Sequence, residues 1–193
     1  MTVEKNNRKI PQPMPFERAS HLLNPLRKLI LSPKKLAGRL DLKPNSRVLE
    51  LGPGPGFFSP EVARRVPAGI LVLFDIQQEM LDMAKKRMET MKFTNVNYIR
   101  GDATSLPFDK DSFDVIFMVA VLGEIPDKNK CLQEIKRVLR RHGLLSISEQ
   151  LGAPDFIAMP DLQRLVEMAG FKLESTYGVA KNYTVSFRKA TSI

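Results

Sequence analysis

The 193-residue chain has one cysteine, Cys131, no tryptophan, and only two histidines, His21 and His142. A single thiol can close no intramolecular disulfide and build no thiolate cluster, so no metal site is assigned. No apolar run approaches the ~18 residues that a membrane span needs. The opening stretch, residues 1–9, is polar and has no long apolar core behind it, so no secretory signal is expected. With no targeting signal read, the expected location is cytoplasmic. Internal repeats and low-complexity tracts are absent as well. What remains is an ordinary globular composition, 43% hydrophobic and 26% charged. The length suits one domain with a sizeable core rather than two.

The net charge of +9 is unevenly spread. Residues 1–47 hold eleven Lys/Arg against three Asp/Glu, whereas residues 48–193 hold nineteen against eighteen. The body is nearly neutral and the excess sits in the head. A basic head can meet RNA or an anionic lipid surface, or it can simply be solvated. No interleaving of aromatic and basic residues supports base stacking.

Residues 1–40 read as a flexible basic tail followed by a helical lid. Pro11, Pro13 and Pro15 alternate in the tail and remove backbone donors. Phe16, Leu22, Leu23, Leu26, Leu29 and Ile30 approach amphipathic helical spacing, interrupted at Pro25. Ser32-Pro33 reads as an N-cap with proline in the first helical position, opening a helix to about Leu40.

From residue 41 onward the chain alternates short apolar strands with amphipathic helices. Strands are expected at 47–51, 69–74, 96–99, 113–119 and 144–148. Helices are expected at 57–66, at 77–91 (burying Met80, Leu81, Ala84, Met88 and Met91), and at 128–141 behind an Asp127 cap (burying Leu132, Ile135, Val138 and Leu139). Strands apolar on both faces imply a parallel sheet covered by helices. A helix at 160–169 is followed by strands at 171–177 and 183–188, joined so closely that they must be antiparallel. The expected fold is therefore α/β and Rossmann-like, a mostly parallel mixed sheet ending in an antiparallel hairpin strand, with helices on both faces.

Open parallel sheets bind ligands at the carboxyl ends of their strands. Directly after the first strand stand Gly52, Gly54 and Gly56, which let a ligand approach the main chain. The alternative is a tight turn with no ligand. A dinucleotide fingerprint would need a further glycine at Phe57, and a Walker loop would need Gly-Lys-Ser/Thr; neither is present. Nineteen residues after Gly56, Asp75 ends the second strand, where it can accept from two ribose hydroxyls or cap the next helix. Asp102, in Arg100-Gly101-Asp102-Ala103, can accept from an adenine amino group or serve a turn.

The stretch Val48-Leu49-Glu50-Leu51-Gly52-Pro53-Gly54-Pro55-Gly56 resembles motif I of the class I S-adenosylmethionine-dependent methyltransferases. Gly101-Asp102-Ala103 with Leu106-Pro107-Phe108 is similar to that family's adenine loop. Ser112-Phe113-Asp114-Val115-Ile116 resembles the start of its fourth strand, and residues 134–143 its helix and turn before the fifth. The likeness covers about residues 40–188 and is nearest to the ubiquinone and menaquinone biosynthesis type (methyltransferase type 11). It implies seven strands with an antiparallel last strand. It also implies S-adenosylmethionine as cofactor, held by Glu50, Gly52, Gly54, Gly56, Asp75, Ile76, Asp102, Ala103 and Val119, and a small-molecule acceptor. The segment Val121-Leu122-Gly123-Glu124-Ile125-Pro126-Asp127 departs from the family pattern, lacking its usual aromatic or histidine residues.

Methyl transfer from a sulfonium needs positioning and exclusion of water more than a dedicated nucleophile. Cys131 therefore reads as structural and His142 as a helix-end cap. Glu124 follows the fourth strand on the ligand side, where it can orient or deprotonate an acceptor, or remain a solvated loop carboxylate. Two other readings stand beside the small-molecule enzyme. One is an RNA or lipid methyltransferase gripping through the basic head, although no Asn-Pro-Pro-Tyr motif is present. The other is a non-catalytic cofactor-binding protein of the same fold.

Overall fold

A computed structural model describes residues 14–15, 22–24, 31–153 and 155–190. The expectations for Pro11, Pro13, Phe16, Pro25, Leu26, Leu29 and Ile30 lie outside the described residues. Helix α1 (Pro33–Gly38) opens as the sequence suggests, the Ser32 hydroxyl accepting from the Lys35 N–H at 3.2 Å. Then follow β1 (Arg47–Leu51), α2 (Ser59–Arg65), β2 (Ile70–Asp75), α3 (Gln78–Thr90), β3 (Val96–Arg100), β4 (Phe113–Val119), a 3-10 turn (Leu122–Glu124), α4 (Lys128–Val138), β5 (Leu139–Gln150), α5 (Met159–Met168), β6 (Phe171–Val179) and β7 (Asn182–Lys189).

The seven strands lie in the order β3-β2-β1-β4-β5-β7-β6. Pairs from β3 through β5 are parallel, and β7 runs antiparallel to both β5 and β6. The order reverses between β1 and β4, the switch point where such sheets open a crevice. Two apolar cores form, one on each face. Leu49, Leu51, Ile116, Met118 and the buried face of α4 build one; Val48, Leu71, Leu73 and Phe117 with α1, α2 and α3 build the other. Alternating strand residues feed both cores, which is why apolar residues stand in succession in β2 and β4.

Four local expectations are corrected. Met91 is not buried but 42% exposed, because α3 ends at Thr90 and the chain turns away through Lys92 at φ 60. Helix α4 stops at Val138, so Leu139 is buried from a strand, paired with Phe113. Its ladder neighbour shifts register between Phe113 and Val115, and Gly143 permits the fit, since a Cβ there would stand 2.9 Å from the Asp114 carbonyl oxygen. His142 accordingly lies within β5 rather than at a helix end, and its carbonyl accepts from Arg188 at 2.7 Å. Helix α2 begins two residues later than expected because Phe57 and Phe58 are held in the core, edge to face at 5.0 Å.

Candidate functional site

A cavity of about 420 Å³ opens at the carboxyl ends of β1, β2 and β4. Its floor is the glycine loop. Gly52 and Gly54 both take positive φ, 63 and 53. A Cβ on Gly52 would stand 2.5 Å from the Val121 side chain, so this position admits glycine on grounds of both space and backbone. The Gly52 N–H donates to the Phe74 carbonyl at 2.9 Å and ties the loop to β2. Gly56 differs from its neighbours. It stands off the cavity, at φ 77, where a Cβ would stand 3.3 Å from the Ala84 side chain of α3, so the glycine serves close packing of that helix.

Of the other residues singled out from the sequence, Glu50, Gly52, Gly54, Asp75, Ile76, Asp102, Ala103, Val119 and Glu124 all line this one cavity. Asp75 is 8% exposed. Its Oδ1 accepts from the Gln77 N–H at 3.0 Å and its Oδ2 from the Gly54 N–H at 3.4 Å. Burial pushes this carboxyl group above its ordinary range, and the backbone donors Gln77, Gly54 and Ile76 pull it back. The α3 N-cap is Gln77, so Asp75 does not occupy the cap position. Asp102 Oδ1 accepts from the Thr104 N–H at 2.8 Å and thus shapes its own turn, while the residue still faces the cavity.

Glu50 lies beneath the loop, 3% exposed, and its Oε2 accepts from the Ser59 hydroxyl at 2.7 Å. Burial raises its carboxyl to about 8; the Ser59 bond opposes this and the Asp75 charge adds to it. Glu124 caps the opposite rim. Burial pushes it up to about 7, against a hydrogen bond from the Met14 backbone N–H, and the charges of Asp155 and Asp75 act in the same upward sense. Ala120, next to it on the rim, holds φ 56, a conformation that costs an L-residue energy and that gathers at functional sites.

Several cavity residues carry no motif. Met14 and Leu22 come from the head segment: the Met14 carbonyl accepts from Gln77 Nε2 at 2.9 Å, and Leu22 packs over Gly54. Phe74, Met80, Val121 and Ile125 supply apolar wall. Their only sequence signal is apolar character beside a strand end, which core residues share. Cys131 is fully buried in α4, its thiol pushed up to about 12 by burial, so it offers no nucleophile. Among the described residues there is no group of His, Cys, Asp and Glu that could hold a metal ion and no helix long and apolar enough to cross a membrane.

The family described as "Methyltransferase domain" matches residues 42–177. A ubiquinone/menaquinone biosynthesis C-methyltransferase from Pasteurella multocida is 34% identical over 105 residues, covering 53% of this chain and 39% of that protein. Its counterpart from Edwardsiella ictaluri is 32% identical over 120 residues, covering 61% and 47%. The match thus spans less than half the length of these relatives. Among solved structures, a SAM dependent methyltransferase from Aquifex aeolicus superposes with a TM-score of 0.86 at 24% identity, covering 92% of this chain and all of that one. The [4+2]-cyclase SpnF superposes at 0.75 with 19% identity, covering 83% and 80%. Fold alone therefore does not decide the reaction.

Proposed function

Since the chain belongs to the methyltransferase-domain family, we propose that it is an S-adenosylmethionine-dependent methyltransferase acting on a small-molecule acceptor. The observation that carries this reading is the single cavity joining the glycine loop, Asp75, Asp102 and Glu124.

The donor set fits the cofactor. S-adenosylmethionine carries ribose hydroxyls, an adenine amino group, an ammonium and a sulfonium, which are donors or cations, and one carboxylate, which leaves it a net cation. The cavity answers with five acidic side chains, Glu50, Asp75, Asp102, Glu124 and Asp127, of which Glu50 and Asp75 are buried with no cation acting on them among the described residues. A cationic ligand relieves the cost of that burial. In this reading Asp75 accepts from the ribose, and the backbone at Gly52 and Gly54 lies against the amino-acid end. The free oxygen of Asp102 accepts from adenine, with Ile76, Ala103 and Val119 as apolar wall. When bound, the cofactor supplies a methyl group on a sulfonium sulfur, which leaves as a neutral thioether and needs no acid.

The chain's own residues then exclude water and orient the acceptor. Residues 1–40 act as the lid, of which Met14 and Leu22 are the described contacts. Glu124 is the group on the acceptor side able to take a proton. A small organic acceptor agrees with relatives named for C-methylation in quinone biosynthesis and with a cavity of about 420 Å³. Isothermal calorimetry tests the reading. S-adenosylmethionine or its demethylated product should bind at micromolar affinity and NAD should not; tight NAD binding alone would overturn it.

A further inference from the structure

A second cavity, of about 470 Å³, opens at the other end of the sheet, where β1 and β4 begin. Its chemistry is opposite to that of the first. Among the described residues, no Lys, Arg or His lines the cavity at the carboxyl ends of the strands. The second is lined by Lys43, Arg140, Arg141 and Arg188, against two carboxylates, Asp41 and Asp114. Among the described residues no Phe, Tyr or Trp lines it. It is larger than the cavity read as the cofactor site, about 420 Å³, so it has room for more than one phosphate group.

The two carboxylates act as anchors for guanidinium groups. Asp114 Oδ1 accepts from Arg140 Nη1 at 2.6 Å, and its Oδ2 accepts from the Arg47 N–H at 2.8 Å. Asp41 Oδ2 accepts from Arg188 Nη2 at 3.1 Å, and Nη1 of the same group donates to the His142 carbonyl at 2.7 Å. Two further cations are left over. Neither the Lys43 ammonium nor the Arg141 guanidinium has an ion-pair or hydrogen-bond partner among the described residues, and both residues are exposed. The Ser46 hydroxyl accepts from the Lys43 N–H at 2.9 Å and keeps its own proton to donate into the cavity. An anion entering here finds donors whose charge is unspent, and charge-assisted bonds to phosphate oxygens are the strong ones. The planar fork of Arg141 suits two such oxygens at once.

We propose that this cavity binds a small anion carrying adjacent phosphate groups, as a free polyphosphate or the phosphate chain of a nucleotide does, at a site separate from methyl transfer. Lys43 and Arg141 take the phosphate oxygens, and Ser46 donates beside them. Arg140 and Arg188, held by Asp114 and Asp41, supply the positive wall. A nucleic-acid strand fits less well. No aromatic ring is present for a base to stack on, and the Asp41 side chain, 65% exposed, would repel a backbone that continues past it. The site stands whether or not the other cavity holds S-adenosylmethionine.

Calorimetry of the full chain with sodium tripolyphosphate tests the site. The wild type should bind it, and the affinity should fall several-fold between about 0.1 and 1 M salt, because the cations are exposed. Arg141→Glu and Lys43→Glu should each weaken binding about tenfold or more, the scale of a lost charge-assisted hydrogen bond. Both side chains are exposed and unpartnered, so circular dichroism of the variants should match the wild type. Lys86→Glu, an equal change of net charge on α3 outside the cavity, should leave the affinity within about twofold of the wild type, since charges beyond a Debye length are screened. No binding by the wild type overturns the proposal. So does binding that Arg141→Glu and Lys43→Glu leave untouched, which would put the anion on the basic head instead. A decauridylate strand is the competing probe. If it binds through Arg141 and Lys43 while tripolyphosphate does not bind, the cavity is a nucleic-acid contact and the proposal falls.

Discussion

The side-chain amide of Gln77 donates to the Met14 carbonyl at 2.9 Å, while the Met14 N–H donates to Glu124. One residue of the head thus bridges the part of the cavity where the Gln77 N–H also holds Asp75 and the part lined by Glu124. If residues 1–40 are a lid, deleting 1–30 should weaken S-adenosylmethionine binding about tenfold, the scale of two lost hydrogen bonds. The cut stops before Leu31, which is 6% exposed and belongs to the core. The loss should depend little on salt. Should the head instead grip a polyanion, the truncated protein keeps its cofactor affinity. It then loses binding to RNA or anionic vesicles that falls steeply with salt in the full chain.

Asp75→Ala should weaken cofactor binding by about 2 kcal/mol, the scale of lost hydrogen bonds to a charged group. The fold should persist, because Asp75 ends β2 and is not the cap of α3. Circular dichroism checks the fold and calorimetry the affinity. An unchanged affinity in a folded variant confines Asp75 to holding the Gly54 and Gln77 amides.

The sheet was readable because its parallel strands are buried on both faces. Leu71, Leu73 and Phe117 feed one core while Val72, Ile116 and Met118 feed the other, so residues 70–74 and 115–119 appear as unbroken apolar runs. The motif residues converge because each follows a strand at the same sheet edge. What was hidden depends on contacts distant in sequence. Glu149, in Ser148-Glu149-Gln150, looks like a polar strand end. Its burial comes from the returning segment that brings the Ile157 N–H onto it. The end of α4 was misread because Leu139 keeps the helical spacing of Leu132 and Ile135, yet pairing with Phe113 draws it into β5. Met14 carries no signal at all, since its part in the site is played by its backbone.

Glu50 should make stability fall as pH rises. Its folded-state value of about 8 lies above the ordinary 4.5, so the folded chain holds a proton that the unfolded chain releases in that window. Each step upward from about pH 5 to 8 therefore costs stability through this group. Glu50→Gln removes this titrating group while keeping a polar partner for Ser59. The melting temperature of the variant, relative to wild type, should climb between pH 6 and 9. A constant difference across that range would show that Glu50 is ionised at ordinary pH and that its burial is compensated.

Arg137 offers a test of how the loop proposed to hold adenine is itself held. Its Nη1 donates to the Phe108 carbonyl at 2.6 Å and its Nη2 to the Leu106 carbonyl at 2.8 Å. Glu134 pairs with the guanidinium at 2.7 Å and accepts from the Leu106 N–H at 2.9 Å. Two adjacent turns of α4 thus clamp both ends of the segment that follows Asp102 and Ala103. The planar fork is what allows one side chain to reach two carbonyls and a carboxylate at once. Arg137→Lys keeps the charge beside Glu134 but loses the fork, so it should recover little of what Arg137→Ala loses. The side chain is 37% exposed, so solvent screens the ion pair, and the stability loss should be about 1–2 kcal/mol, carried by the two carbonyl bonds. Because the loop would then sample other positions, S-adenosylmethionine affinity should drop several-fold in both variants. Denaturant unfolding and calorimetry on the same preparations separate the two effects. A destabilised variant with undiminished affinity would mean that Asp102 is fixed by its own Thr104 turn and that the clamp serves only the fold.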